Sequence, residues 1–249
     1  WPGSIDLPLA EASLLPKEYV KAIVEDDVYR MDGIKRDTNK MRLLLRSLAR
    51  NESTTVTNRT LKNDVKEIDD EDIDANTINE YLNIFERLFL INNQKPFAAS
   101  VRSSVRIKQA VKRHFVDPSI SAALLGVTSS SLLNDLETLG LLFEALCERD
   151  LQIYADAFGG SLYHYQDYKN REIDAVVECP DGEWCAFEIK LGANQIDAAA
   201  EGLLRLKAEF EADPRGRPPK VLCVLCGLSN AAYQRPDGVF VVPLTALRD

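Results

Sequence analysis

The sequence predicts a mixed α/β chain, α+β overall, in which a helical first half is followed by an α-β-β-β-α-β order around a mixed sheet. Three observations lead there. Across residues 17–90 the apolar side chains recur at spacings of three and four, the period of a helix with one buried stripe. Two strand-like runs, residues 173–177 and 184–191, flank Pro180-Asp181-Gly182; there Pro presets φ, Asp tolerates the bend and Gly supplies a positive φ. Residues 221–226 are apolar without interruption, as a strand covered on both faces should be.

Residues 1–16 are Pro-rich and irregular, and their Trp-Pro-Gly opening reads like the middle of a longer protein. Residues 17–30 form a helix through Tyr19, Val20, Ile23, Val24 and Val28, ended by Asp32-Gly33. Its triplet Glu25-Asp26-Asp27 is read as a solvated face rather than a metal cluster. Helices over 40–48, 54–65 and 75–90 follow, in the spacing of a helix-turn-helix with a long connection. From Arg87 to Val116 there is no acidic residue, while Lys95, Arg102, Arg106, Lys108, Lys112 and Arg113 accumulate beside Ser100, Ser103 and Ser104. Cations with small hydroxyls between them suit phosphate oxygens. A protein-interaction surface is the alternative, since Asn76, Thr77, Asn79, Glu80 and Asn83 put no Lys or Arg on the third helix before Arg87. Contact is therefore expected with nucleic-acid backbone more than with bases. Residues 114–118 close this part as a strand, 119–125 make a short helix, and the Gly/Ser/Thr-rich stretch 126–131 marks a boundary.

Residues 132–158 form the helix that must pack on the sheet, with Leu136, Leu139, Phe143, Leu146 and Cys147 as its stripe. Glu144, embedded in LGLLFEAL, either points inward at a cation or pairs with a Lys or Arg at the boundary; Glu148, Arg149 and Asp150 read as an ordinary charged patch. Residues 162–166 give the first strand. If the Pro180-Asp181-Gly182 loop has three residues with Gly182 left-handed, Cys179 faces Glu183 and Asp174 faces Glu188, with Lys190 on the same face. A two-residue turn would put Asp174 on the other face. Two carboxylates and an ammonium on an apolar hairpin must be paired or bind something. Mg²⁺ or Mn²⁺ meets that need, and a solvated ion pair is the plain alternative. An amphipathic helix over 197–211 carries Ala199, Leu203, Leu206 and Phe210, and 240–242 adds an edge strand.

REID and EIK, with Asp174 and Glu188 fourteen residues apart, resemble the signature of the PD-(D/E)XK nuclease superfamily. The wider pattern LFEALCERDLQIY, YHYQDYKNREIDAVVE and AFEIKLG is similar to the C-terminal region of a large group of bacterial and archaeal P-loop, AAA-type ATPases, in which a short nuclease-like core follows a winged helix. TINEYLNIFERLFLI resembles the recognition-position helix and following strand of that winged helix. The resemblance implies a lid-like helical segment over 1–36, a winged helix over 37–126 whose basic wing contacts DNA, and a restriction-endonuclease-like αβββαβ core over 127–249. It implies a metal-dependent phosphodiesterase in which Glu144, Asp174 and Glu188 hold Mg²⁺ or Mn²⁺ and Lys190 orients the attacking water. A catalytically silent nucleic-acid- or protein-binding platform is the other expectation. ATP would enter only through an upstream ATPase domain, because no G-x-x-x-x-G-K-[ST] occurs in these residues.

Composition agrees with a globular chain: 249 residues, 45% of them apolar. The net charge of −9 is uneven. Residues 1–118 hold 19 basic and 19 acidic side chains, so the whole excess lies in residues 119–249, which weakens any grip of that half alone on nucleic acid. There is no run of about 18 apolar residues to span a membrane and no basic-then-apolar leader. Five cysteines, odd in number and without a disulfide-scaffold spacing, point to a reducing cytoplasm. Cys223 and Cys226 have redox or zinc spacing but would face opposite sides of a strand. His114 and His164 are isolated; His164 reads as a hydrogen-bonded strand residue before it reads as a general base.

Overall fold

The computed structural model describes residues 2–69, 72–98, 110–169, 171–214 and 216–247; Arg102, Arg106 and Lys108 lie outside them. The chain divides into two units, residues 1–93 with 113–142 and residues 94–112 with 143–249. The second thus takes up the 94–112 stretch expected of the N-terminal part, and the change near residue 126 falls instead after Leu142.

In the first unit, α1 (Leu9–Ala12), α2 (Leu15–Ala22) and α3 (Val28–Asp32) are followed by α4 (Thr38–Arg50), α5 (Asn58–Asp69) and α6 (Ala75–Arg87), with a π-helical turn, Ile23–Asp27, between α2 and α3. Side-chain caps set two of these starts. Asp37 accepts the N–H groups of Asn39 and Lys40 ahead of α4, and Asp74 those of Asn76 and Thr77 ahead of α6. α5 starts later than its apolar period suggests, because the Thr54 carbonyl accepts Arg113 N–H at 3.2 Å and is drawn into a β-bridge. Strands β1 (Ile91–Gln94) and β2 (Lys112–Phe115) pair. α7 (Pro118–Leu125) and α8 (Ser129–Leu132) come next. Val20, Ile23, Val24 and Val28 share one core with Met41, Leu44, Leu61, Ile78 and Phe85, so the expected 1–36 segment is part of that core. The long helix expected from residue 132 begins at α9 (Leu136–Ala157). Asp135 takes Thr138 N–H at 3.1 Å and competes with continuation from α8.

The second unit holds the later part of α9, then β3 (Ser161–Gln166), β4 (Glu172–Glu178), β5 (Trp184–Lys190), α10 (Ile196–Ala212), β6 (Val221–Cys226), β7 (Tyr233–Gln234) and β8 (Phe240–Val242). The sheet order is β3-β4-β5-β6-β8-β7. β3, β4 and β5 are antiparallel to one another, β5, β6 and β8 run parallel, and β7 returns antiparallel. β7, two exposed residues long, carries no sequence signal. Leu203, Leu206 and Phe210 of α10 pack on Val176, Trp184, Ala186, Leu222 and Val224. Cys147, Leu151 and Ala155 of α9 pack with Ala175, Val177, Cys223 and Leu225. Alternate residues of the strands thus serve opposite faces, with one helix on each. The α9 stripe lies later than expected, and Leu136 is 62% exposed.

Candidate functional site

The site grows out of the β4–β5 hairpin. Val176 pairs with Ala186, Val177 with Cys185 and Glu178 with Trp184. Cys179 N–H donates to the Glu183 carbonyl at 2.7 Å and Gly182 N–H to the Cys179 carbonyl at 2.9 Å, with Gly182 at φ +82°. This is the three-residue loop with a left-handed glycine, and counting back along it brings Asp174 level with Glu188. Regular pairing stops at Ala175 and Phe187; one residue further, Asp174 Oδ2 accepts the Ile189 N–H at 2.7 Å.

On the other side of β4, pairing with β3 slips between Tyr163 and Tyr165. Ile173 and Val176, three residues apart, both sit in the α10-side core, so the alternation of faces changes between them. Asp174 and Ala175 lie at this irregularity. A bulge of this kind re-aims a side chain and is frequent beside functional sites.

Lys190 Nζ lies 2.9 Å from Asp174 Oδ2 and 2.7 Å from Glu188 Oε2. A second ammonium stands close by. Lys112 Nζ donates to the Glu144 carboxylate, to Glu148 Oε1 at 2.8 Å and to the main-chain oxygen of Asp174 at 3.4 Å. The Lys112 side chain is 8% exposed and that of Glu148 2%. Glu144, Asp174, Glu188 and Lys190, picked from the sequence, are therefore brought together. Two more members, Lys112 and Glu148, were missed. Lys112 was expected to face phosphate with the basic wing; instead its ammonium is buried against two carboxylates one helical turn apart on α9. The i, i+4 spacing of Glu144 and Glu148 was the signal for this. Lys95 is exposed.

The charges shape one another's proton affinities. Burial and the Asp174 charge push the Glu188 carboxyl up to about 7. Burial also raises Glu144, outweighing the pull of Lys112. For Asp174 burial acts in the same upward sense, but Lys190, Lys112 and the Ile189 N–H outweigh it and hold the carboxyl below its usual value. Burial would lower both lysines; the surrounding carboxylates win, and both ammoniums hold their protons more tightly than usual. Four carboxylates thus face two ammoniums.

Among the described residues no three His, Cys, Asp or Glu side chains are arranged as a metal cage, since the two ammoniums stand between the carboxylates. The donor chemistry nonetheless fits a hard divalent ion: every donor is a carboxylate oxygen, and two negative charges are in surplus. His164 is committed elsewhere, its Nε2 donating to the Ala110 carbonyl at 3.0 Å. Cys223 and Cys226 lie in opposite cores, and burial pushes the Cys223 thiol up to about 12. No helix among the described residues is long and apolar enough to cross a membrane.

No curated protein and no solved structure matches the chain. Residues 139–247 match a domain of unknown function, DUF4143, which takes in Glu144, Asp174, Glu188 and Lys190. Residues 1–131 match another, DUF8612, and the two matches meet beside the Gly/Ser/Thr-rich stretch 126–131. Since the first of them covers more than half of the 249 residues, the chain belongs to the DUF8612 family, with a DUF4143 region following.

Proposed function

We propose that the chain is a DNA-associated, metal-dependent phosphodiesterase of the PD-(D/E)XK kind. The observation that carries this reading is the meeting of Asp174, Glu188 and Lys190 on a hairpin whose register is set by its loop, next to Glu144 on the preceding helix. The order of α9, β3, β4, β5, α10 and β6 around a mixed sheet supports a restriction-endonuclease-like core. In the first unit, α4, the Thr54 bridge to Arg113, α5, α6, β1 and β2 follow one another as in a winged helix. By the resemblance described above, a P-loop ATPase domain upstream would supply ATP binding.

Glu144, Asp174 and Glu188 would hold Mg²⁺ or Mn²⁺, which supplies a Lewis acid for the phosphate and a more acidic bound water. Lys190, kept charged by its two carboxylates, would orient the attacking water and offset charge developing on the phosphate. Asp174, held ionised by Lys190, fixes that ammonium in place. Incubation with single- and double-stranded DNA plus Mn²⁺ tests the proposal: wild type should cleave, and Lys190→Ala should lose at least 100-fold of the rate.

A second reading, a catalytically silent platform, is favoured by one observation: each of the four carboxylates already meets an ammonium. Binding of DNA by wild type without cleavage at any Mn²⁺ concentration would select it.

A further inference from the structure

We infer that Lys112 is a tethered cation occupying the Glu144 side of the metal site, so that a divalent ion must displace it to bind. The inference rests on the metal reading of the site and goes beyond it by assigning a role to a residue outside the Glu144, Asp174, Glu188 and Lys190 set.

Burying an ammonium costs several kcal/mol unless its partners are close and well placed. Lys112 has such partners: the Glu144 and Glu148 carboxylates and, at 3.4 Å, the Asp174 carbonyl. Its position is separate from that of Lys190, which belongs to β5 and serves Asp174 and Glu188. Glu144 alone links the two groups, touching Lys112 directly and lying in the fields of Asp174 and Lys190. A metal held jointly by Glu144 and the hairpin acids needs a Glu144 oxygen turned away from Lys112. The same lone pairs cannot serve an ammonium and a metal at once. Lys112 comes from β2, on a different stretch of chain from the acids it neutralises, so it can leave without disturbing the hairpin register. The single positive charge of Lys112 is then exchanged for the double charge of the ion, which brings the four acids, with Lys190, closer to neutrality.

The test is Mn²⁺ affinity of the whole chain, read by titration and by the Mn²⁺-dependent rise in Tm, with no reference to cleavage. Lys112→Met should bind Mn²⁺ at least ten-fold tighter than wild type and show the larger rise in Tm. Adding Glu188→Gln to it should remove the gain. Equal or weaker binding by Lys112→Met, while Asp174→Asn abolishes binding in wild type, overturns the inference and leaves the metal reading standing. No Mn²⁺ binding by any variant overturns both. Should Lys112→Met fail to fold without metal, refolding in Mn²⁺ supports the inference; refolding only of Lys112→Arg, with no help from Mn²⁺, marks Lys112 as a structural ion pair and overturns it.

Discussion

Lys190 Nζ sits 2.9 Å from Asp174 Oδ2 because a loop at the far end of the hairpin sets which residues of β4 and β5 stand side by side. The ion pair is therefore a readout of register as well as of charge. Replacing Lys190 by Met leaves Asp174 and Glu188 buried without their ammonium, which should cost about 3–5 kcal/mol in urea unfolding. Adding Asp174→Asn should recover part of the loss. Strict additivity of the two substitutions would show that the pair is not coupled.

Gly182 carries φ +82°, and a Cβ there would come 2.9 Å from Arg217 Nη1, whose group donates to the Gly182 carbonyl at 2.8 Å. Gly182→Ala should lose about 1–2 kcal/mol from the left-handed conformation alone. Thermal unfolding with an unchanged midpoint would contradict the loop geometry.

Glu188 links stability to pH. Its ordinary value of 4.5 is raised to about 7, so the folded state favours the protonated form. In metal-free protein the wild type should be most stable, relative to Glu188→Gln, below about pH 4.5. It should lose up to about 3 kcal/mol of that difference as pH rises to about 7. Parallel stability curves for the two proteins across this window would contradict the assignment.

Phe89 ends α6 with φ +53°. The Leu90 N–H bonds the Phe85 carbonyl at 2.8 Å and the Phe89 N–H bonds that of Glu86 at 3.1 Å, the Schellman pattern in which glycine is the usual left-handed residue. Its ring is 76% exposed, so little packing opposes replacement. Phe89→Gly should raise stability by roughly 0.5–1 kcal/mol, seen as a higher denaturant midpoint at constant slope.

Much of the second unit was legible because its signals are local. Pro180-Asp181-Gly182 specified the loop, the loop specified that Asp174 meets Glu188, and the unbroken run 221–226 became the central strand β6. What period-two counting could not show is the slip between Tyr163 and Tyr165, which depends on how β3 meets β4. Lys112 was misjudged for a related reason. It was grouped with its basic neighbours in sequence, whereas its surroundings are set by α9, more than thirty residues further on. Asp135 likewise broke a helix that apolar periodicity alone would have run through.

The pairing of Glu188 with Val224 on β6 bears on the order in which the molecule assembles. The β4–β5 hairpin closes over three residues, an event on the microsecond scale, whereas β6 can dock only after α10 has crossed back over the sheet. The acids of the hairpin therefore meet one another while still hydrated. They surrender their water when the last parallel strand arrives, so the cost of enclosing them falls on the late, slow step of folding.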